Sequence, residues 1–338
     1  MRYAILVAFG LMFAFPAAAD PVEDFYRGKS MTVIVYSPAG SAYDLYARLL
    51  SRHMPRHIPG GLGMIAKNMT GAGGLTAARY LFSAAPKDGS VIGTVNRGLP
   101  FMPLLGRTAN LEIDPLRFTW LGSMSTETAV AVSWHSSSIK AARDLFEREF
   151  LVGGTGAGSN SESIPALLNG LLGTRFKVIS GYDGVTNASL AMERGEIDGF
   201  AAYSWVALKA TRADWIRDHK LNYLFQTGST PHPEIPADVP LVGSLAKNDA
   251  DRQALRLLFT QELLGRPFLA PPDVPAERAQ ALRAAFNASM KDPALIVEAA
   301  TARMELELVT AEEVEQVIRA AFATPADVIE RTRQALGL

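Results

Sequence analysis

Two loops of this sequence consist almost wholly of small residues, and each joins a strand pattern to a helix pattern. The first is Ser37-Pro38-Ala39-Gly40-Ser41-Ala42; the second is Gly153-Gly154-Thr155-Gly156-Ala157-Gly158-Ser159-Asn160. Neither carries a Lys or an Arg. The chemistry open to such loops is anion binding by the backbone. A helix start exposes up to four amide N–H groups and about half a positive charge. Small side chains let an anion approach closely enough to use them. The candidate contacts are therefore Ser37, Ala39, Gly40, Ser41 and Ala42 in the first loop, with Gly156, Ala157, Gly158, Ser159 and Asn160 in the second. Arg97 ends a core strand in Asn96-Arg97-Gly98 and is expected to point to the mouth of a cleft. There its planar fork could take a second carboxylate at the far end of a ligand. The competing explanation of the loops is plain turn geometry, since tight strand-to-helix turns also need glycine.

Other chemistries fit poorly. Gly154-x-Gly156 lacks the third glycine of a dinucleotide fingerprint, with Ser159 in its place, and no ribose-binding acid follows the next strand. Ser137-Ser138-Ile139-Lys140 matches S-x-x-K without the S-D-N and K-T-G that would give it a role. His53 and His57 stand four apart, but Pro55 lies between them and no carboxylate flanks them, which is a poor metal pattern. His135, His219 and His232 are isolated. The sequence offers no catalytic set, metal site or cofactor motif, so a binding protein is expected rather than an enzyme.

The elements that must position these loops alternate between strand and helix. Met31–Tyr36 is apolar and β-branched, as in a buried parallel strand, and Leu45, Tyr46, Leu49 and Leu50 follow at helical spacing. Further strands are expected at 62–69, 90–95, 129–133, 149–152, 176–180, 197–203 and 221–226. A helix is expected from Ser136 through Leu145 and Phe146. Another carries Ile164, Leu167, Leu168, Leu171 and Leu172, with Pro165 in its first turn. After the proline-rich segment 230–240 the chain reads as largely helical. This alternation argues an α/β architecture.

Residues 1–19 read as a secretory signal, with Arg2, an apolar run Ala4–Phe15 and Ala17-Ala18-Ala19 before Asp20. The run is shorter than the roughly 20 residues that span a bilayer. No cysteine occurs among the 338 residues, which rules out disulfides and a lipid-modified cysteine. A soluble periplasmic protein that is stabilised by its core fits best. The net charge of −1 and the absence of a long basic run leave nucleic acid a poor partner.

The order of motifs resembles one family. Ser37-Pro38-Ala39-Gly40-Ser41-Ala42-Tyr43-Asp44 resembles the P-x-G-G-G-x-D loop of the Bug proteins, the substrate-binding receptors of tripartite tricarboxylate transporters. Asn68-Met69-Thr70-Gly71-Ala72-Gly73-Gly74 is similar to their N-R-P-G-A-G-G segment. Pro86-Lys87-Asp88-Gly89, Gly154–Ser159, Gly181-Tyr182-Asp183-Gly184, Gly195-Glu196-Ile197-Asp198 and Pro236-Ala237-Asp238-Val239-Pro240 match further segments in order. Ser41 and Ala42 stand where the family has glycines, as in a divergent branch. The resemblance implies a type II periplasmic-binding-protein fold, with two α/β lobes closing on a small organic anion, expected to be a carboxylate. Lobe 1 would comprise 20–124 and 238–338, and lobe 2 would comprise 125–237. It adds Asp44, Tyr182, Gly184 and Tyr203 to the candidate contacts. It also implies a monomeric receptor serving a large and a small membrane subunit; a receptor that only signals, or a secreted enzyme, are the alternatives.

Overall fold

The computed structural model describes residues 21–61, 63–106, 113–154, 160–182, 184–228 and 230–337. In chain order its strands are β1 (Ser30–Val35), β2 (Gly63–Asn68), β3 (Val91–Thr94), β4 (Thr119–Ser123), β5 (Ala129–Trp134), β6 (Phe150–Gly153), β7 (Phe176–Ile179), β8 (Gly199–Ser204), β9 (Leu221–Gln226), β10 (Pro267–Ala270) and β11 (Val309–Thr310). They form two mixed sheets, ordered β11-β4-β10-β3-β1-β2 and β7-β6-β8-β5-β9. Within the first, β1 pairs in parallel with β2 and β3, while β10 runs antiparallel to β3 and β4. Within the second, β6 pairs in parallel with β7 and β8, and β5 runs antiparallel to β8 and β9. This is the expected pair of α/β lobes.

Each sheet is covered on both faces, which explains the continuous apolar runs. Along β1, Val33 and Val35 face the cluster that holds Leu49, Leu50, Phe268 and Phe286, and Ile34 faces the opposite cluster with Leu81, Trp120 and Ile318. Along β5, Ala131 joins the core of the helix Asn160–Leu172, whereas Val130 and Val132 join the core with Met192 and Trp215.

Sequence reading misses β4, β10 and β11. Each is short, and β10 lies in a stretch rich in Gly and Pro where alternation cannot register. The helix expected from Ser136 is only Asp144–Glu147. The Asp144 carboxylate accepts from the Lys140 and Ala141 amides, and the Ser137 hydroxyl from the Ile139 amide, so local side chains hold turns there instead. Pro165 lies inside a helix that runs from Asn160, not in its first turn. Burying Ile164, Leu167, Leu168, Leu171 and Leu172, at about 1.5–3 kcal/mol each, outweighs the roughly 3 kcal/mol cost of an interior proline.

The segment 238–338 does not follow the first sheet as a unit. Its strands β10 and β11 do. However, Ala254, Leu255, Leu258 and Phe259 of the helix Asp249–Phe259, and Val328 of the helix Ala326–Ala335, pack into the second sheet's core. Chain order could not show this, because an amphipathic helix carries its apolar stripe without naming the sheet it covers.

Candidate functional site

The first loop is held by a buried carboxylate. Asp44, 1% exposed, sits in the first turn of the helix Ala42–His53. Its Oδ2 accepts from the Gly40 amide and from Arg48 Nε, both at 2.9 Å, and its Oδ1 accepts from Asn68 Nδ2 at 2.8 Å. Asn68 Nδ2 also donates to the Ser37 carbonyl at 2.8 Å, so the end of β2 is tied to the loop after β1. Burial alone would raise this carboxyl, but Arg48, the Gly40 amide and Asn68 outweigh it and hold it at about 2. Asp44 therefore braces the loop, with its buried oxygens engaged by three donors.

Ser41 caps the helix: its Oγ accepts from the Asp44 amide at 3.3 Å and shares a hydrogen bond of 2.6 Å with Ser37 Oγ. Gly40 takes a positive φ of 78°, which glycine adopts without strain. Ala42 and Tyr43 open the helix, so their amides lack intrahelical acceptors and remain available to an anion. Ala39 and Gly40 are exposed beside them.

The second loop is seen only at its borders. Gly156, Ala157, Gly158 and Ser159 lie outside the described residues. Asn160 is exposed at the start of its helix. Tyr182 and Gly184 follow β7, with the Tyr182 amide bonded to the Gly154 carbonyl at 3.3 Å and the Gly184 amide to the Tyr182 carbonyl at 2.9 Å. This places the loops after β6 and β7 side by side. Tyr203 does not join them. It is buried in the second lobe, edge-on to Phe200, with its hydroxyl 3.2 Å from Thr211 Oγ1. Strand alternation points it into the core.

Arg97 is largely buried and paired. Its Nη1 donates to Glu127 Oε2 at 3.0 Å, and its amide donates to the Tyr43 hydroxyl at 3.4 Å. Glu127 lies on the crossing from β4 to β5. It also accepts from Arg266 Nη1 at 3.2 Å and, at Oε1, from Ser204 Oγ at 2.7 Å. Burial raises the Glu127 carboxyl, yet Arg97, Arg266 and Ser204 together hold it below the usual carboxylate range. The Arg266 guanidinium lies over the rings of Tyr43 and Tyr46, 4.8 and 5.3 Å from their centroids. Tyr43 in turn meets Tyr36 edge-on. Sequence reading missed Glu127 and Ser204, since an isolated acid and a lone serine carry no linear signal.

Glu127 decides the geometry of the site. Arg97 follows β3, at the edge where the parallel strands β1, β2 and β3 end. Ser204 ends β8, at the edge where β6, β7 and β8 end. One carboxylate binds both, so the carboxyl edges of the two sheets face each other across Glu127, with the anion-ready loops on them. Ligands of open α/β sheets bind at such edges. The fold is that of the TctC-type solute-binding proteins. A TctC solute-binding protein from Polaromonas superposes with a TM-score of 0.69 at 19% identity, covering 90% of this chain and 99% of that one. MatC from Rhodopseudomonas palustris, with bound malate, gives 0.61 at 20% identity, over 91% and 99%. The periplasmic binding protein BugD gives 0.59 at 17% identity, over 92% and 97%. No protein-family model and no curated protein sequence matches the chain.

The lobes also meet through Lys209, on the helix Trp205–Thr211. Its ammonium bridges the Glu234 and Glu305 carboxylates, and it lines a cavity of about 570 Å³ with both of them. His232, Glu234 and Glu305 could in principle hold a cation, their ligand atoms lying within 4.8 Å of one another. Lys209 already supplies positive charge to both carboxylates there.

Proposed function

We propose that this protein is a periplasmic receptor that captures a small carboxylate between its two lobes and delivers it to a tripartite tricarboxylate-type membrane transporter. The observation that carries this reading is the meeting of the two carboxyl edges at Glu127, which brings a braced helix start, entered by a loop without Lys or Arg, to a cleft between lobes. The amides of Ala42 and Tyr43 take one carboxylate. Recognition by backbone amides, with no lysine or arginine in the loop itself, suits a receptor that must release its cargo. Carboxylate chemistry is supported by the malate in the structural neighbour MatC.

A thermal-shift screen of mono-, di- and tricarboxylates, malate included, tests the reading. A ligand at 100 times its dissociation constant adds about 2.7 kcal/mol of stability, which shifts melting by several degrees. No shift with any carboxylate would remove the proposal. Delivery to a transporter is tested by co-purifying the ligand-loaded receptor with large and small membrane subunits encoded beside it.

A further inference from the structure

Glu262 is a buried carboxyl with no part in the site just described. It is 2% exposed and belongs to the short helical turn Thr260–Leu264, which packs between the two crossings of the chain. Its carbonyl accepts from the Glu127 amide at 2.8 Å on the first crossing. Its side chain meets Thr227 on the second. Its Oε2 is buried with no hydrogen-bond partner, and the residue borders the inter-lobe cavity. The charged groups nearest it are Arg97, after β3, and Glu127. Arg266 reaches the same Glu127 from the start of β10. Across the cavity stand Lys209, His232, Glu234, Glu305 and Glu307.

Arg97 and Arg266 share the single carboxylate of Glu127. With Glu262 protonated, the buried cluster carries one surplus positive charge; with Glu262 ionised, it carries none. An unpartnered buried oxygen costs less on a neutral carboxyl than on an anion. The surplus charge lies directly beneath the anion loop, because Arg97 holds the Tyr43 hydroxyl and Arg266 lies over the Tyr43 ring. A ligand carboxylate at the start of that helix and an ionised Glu262 therefore compete for the same pair of arginines.

We propose that Glu262 is a proton-binding site coupled to the cleft, so that capture of an anionic ligand draws a proton onto Glu262. This rests on the carboxylate reading above. Burial, which outweighs the opposing pull of Arg97 and Thr227, raises the Glu262 carboxyl to about 8, within the range a periplasm can cross. By reciprocity of linkage, affinity for the anion falls as pH rises through that range, by at most tenfold per pH unit.

Malate is the probe, titrated calorimetrically at pH 8 in two buffers of different ionisation enthalpy, and again at pH 6 and pH 9. The difference between buffers counts protons. A fraction of one proton taken up per malate, with affinity at pH 9 several-fold below that at pH 6, is the expected result. Glu262→Gln keeps the shape, binds malate and loses both the uptake and the pH dependence; His232→Asn, which changes another titratable group in the cavity, retains both. Malate heat without proton uptake in the wild type overturns the inference alone. Uptake that persists in Glu262→Gln also overturns it. No heat with malate, and none with acetate or citrate, overturns the carboxylate reading and this inference together.

Discussion

Replacing Asp44 by alanine tests the brace on which the first loop depends. The variant leaves the Gly40 amide, Asn68 Nδ2 and Arg48 Nε without their acceptor. Hydrogen bonds to a charged group contribute about 1.5–3 kcal/mol each. They are not additive, and Arg48 is half exposed, so its share is small. A net loss of about 2–4 kcal/mol is expected. The protonation behaviour offers an independent measure. A carboxyl at about 2 when folded against 3.8 when unfolded contributes roughly 2 kcal/mol at neutral pH. Because the folded value is depressed, that contribution is present above pH 4 and is lost as pH falls towards 2. Urea unfolding at pH 7 and pH 3 should show wild type and Asp44→Ala converging by about 1 kcal/mol at the lower pH. Carboxylate affinity should fall at least tenfold, since the Gly40 amide then loses the acceptor that orients the turn. An unchanged midpoint at pH 7, or a difference independent of pH, would refute the brace.

Gly40→Ala has open space for its Cβ and suffers only the positive φ, so it should lose about 1–2 kcal/mol in thermal or urea unfolding. Gly74→Ala combines a positive φ with a Cβ 2.8 Å from the Tyr36 ring, so it should lose more and also weaken ligand binding by displacing Tyr36 from Tyr43. Arg97→Ala removes one of the two arginines on buried Glu127; it should destabilise by about 2–4 kcal/mol and weaken mono- and dicarboxylates equally in calorimetry, because Arg97 serves the hinge. Lys209→Met removes a partly exposed bridge between the lobes, so affinity should drop no more than about fivefold. Its remaining binding should be less sensitive to salt than that of the wild type.

Alternation and turn chemistry were sufficient, in the sequence alone, to reveal β1, β3 and the helix that follows Ser41. These depend on neighbours within a few residues: a β-branched run, a serine cap, a glycine able to take positive φ. The same local signals marked Ser37–Ala42 as a candidate anion site, and the structure shows how Asp44, Asn68 and Ser41 hold that loop. Partnership between distant residues was not legible. Arg97 read as a ligand contact because it is a charged group at a strand end, and Asp44 because the family resemblance implied it. Only the fold brings Asn68 to Asp44 and Glu127 to Arg97, and these partners give both a structural role. His53 and His57 likewise looked unaccompanied in sequence, yet Glu298 and Asp292 meet them from more than 230 positions away, at 2.6 and 2.9 Å. A buried charge must find its counter-charge wherever the chain can deliver one. Local sequence can therefore announce the backbone's chemistry, while the role of a charged side chain is decided by what the tertiary structure places against it.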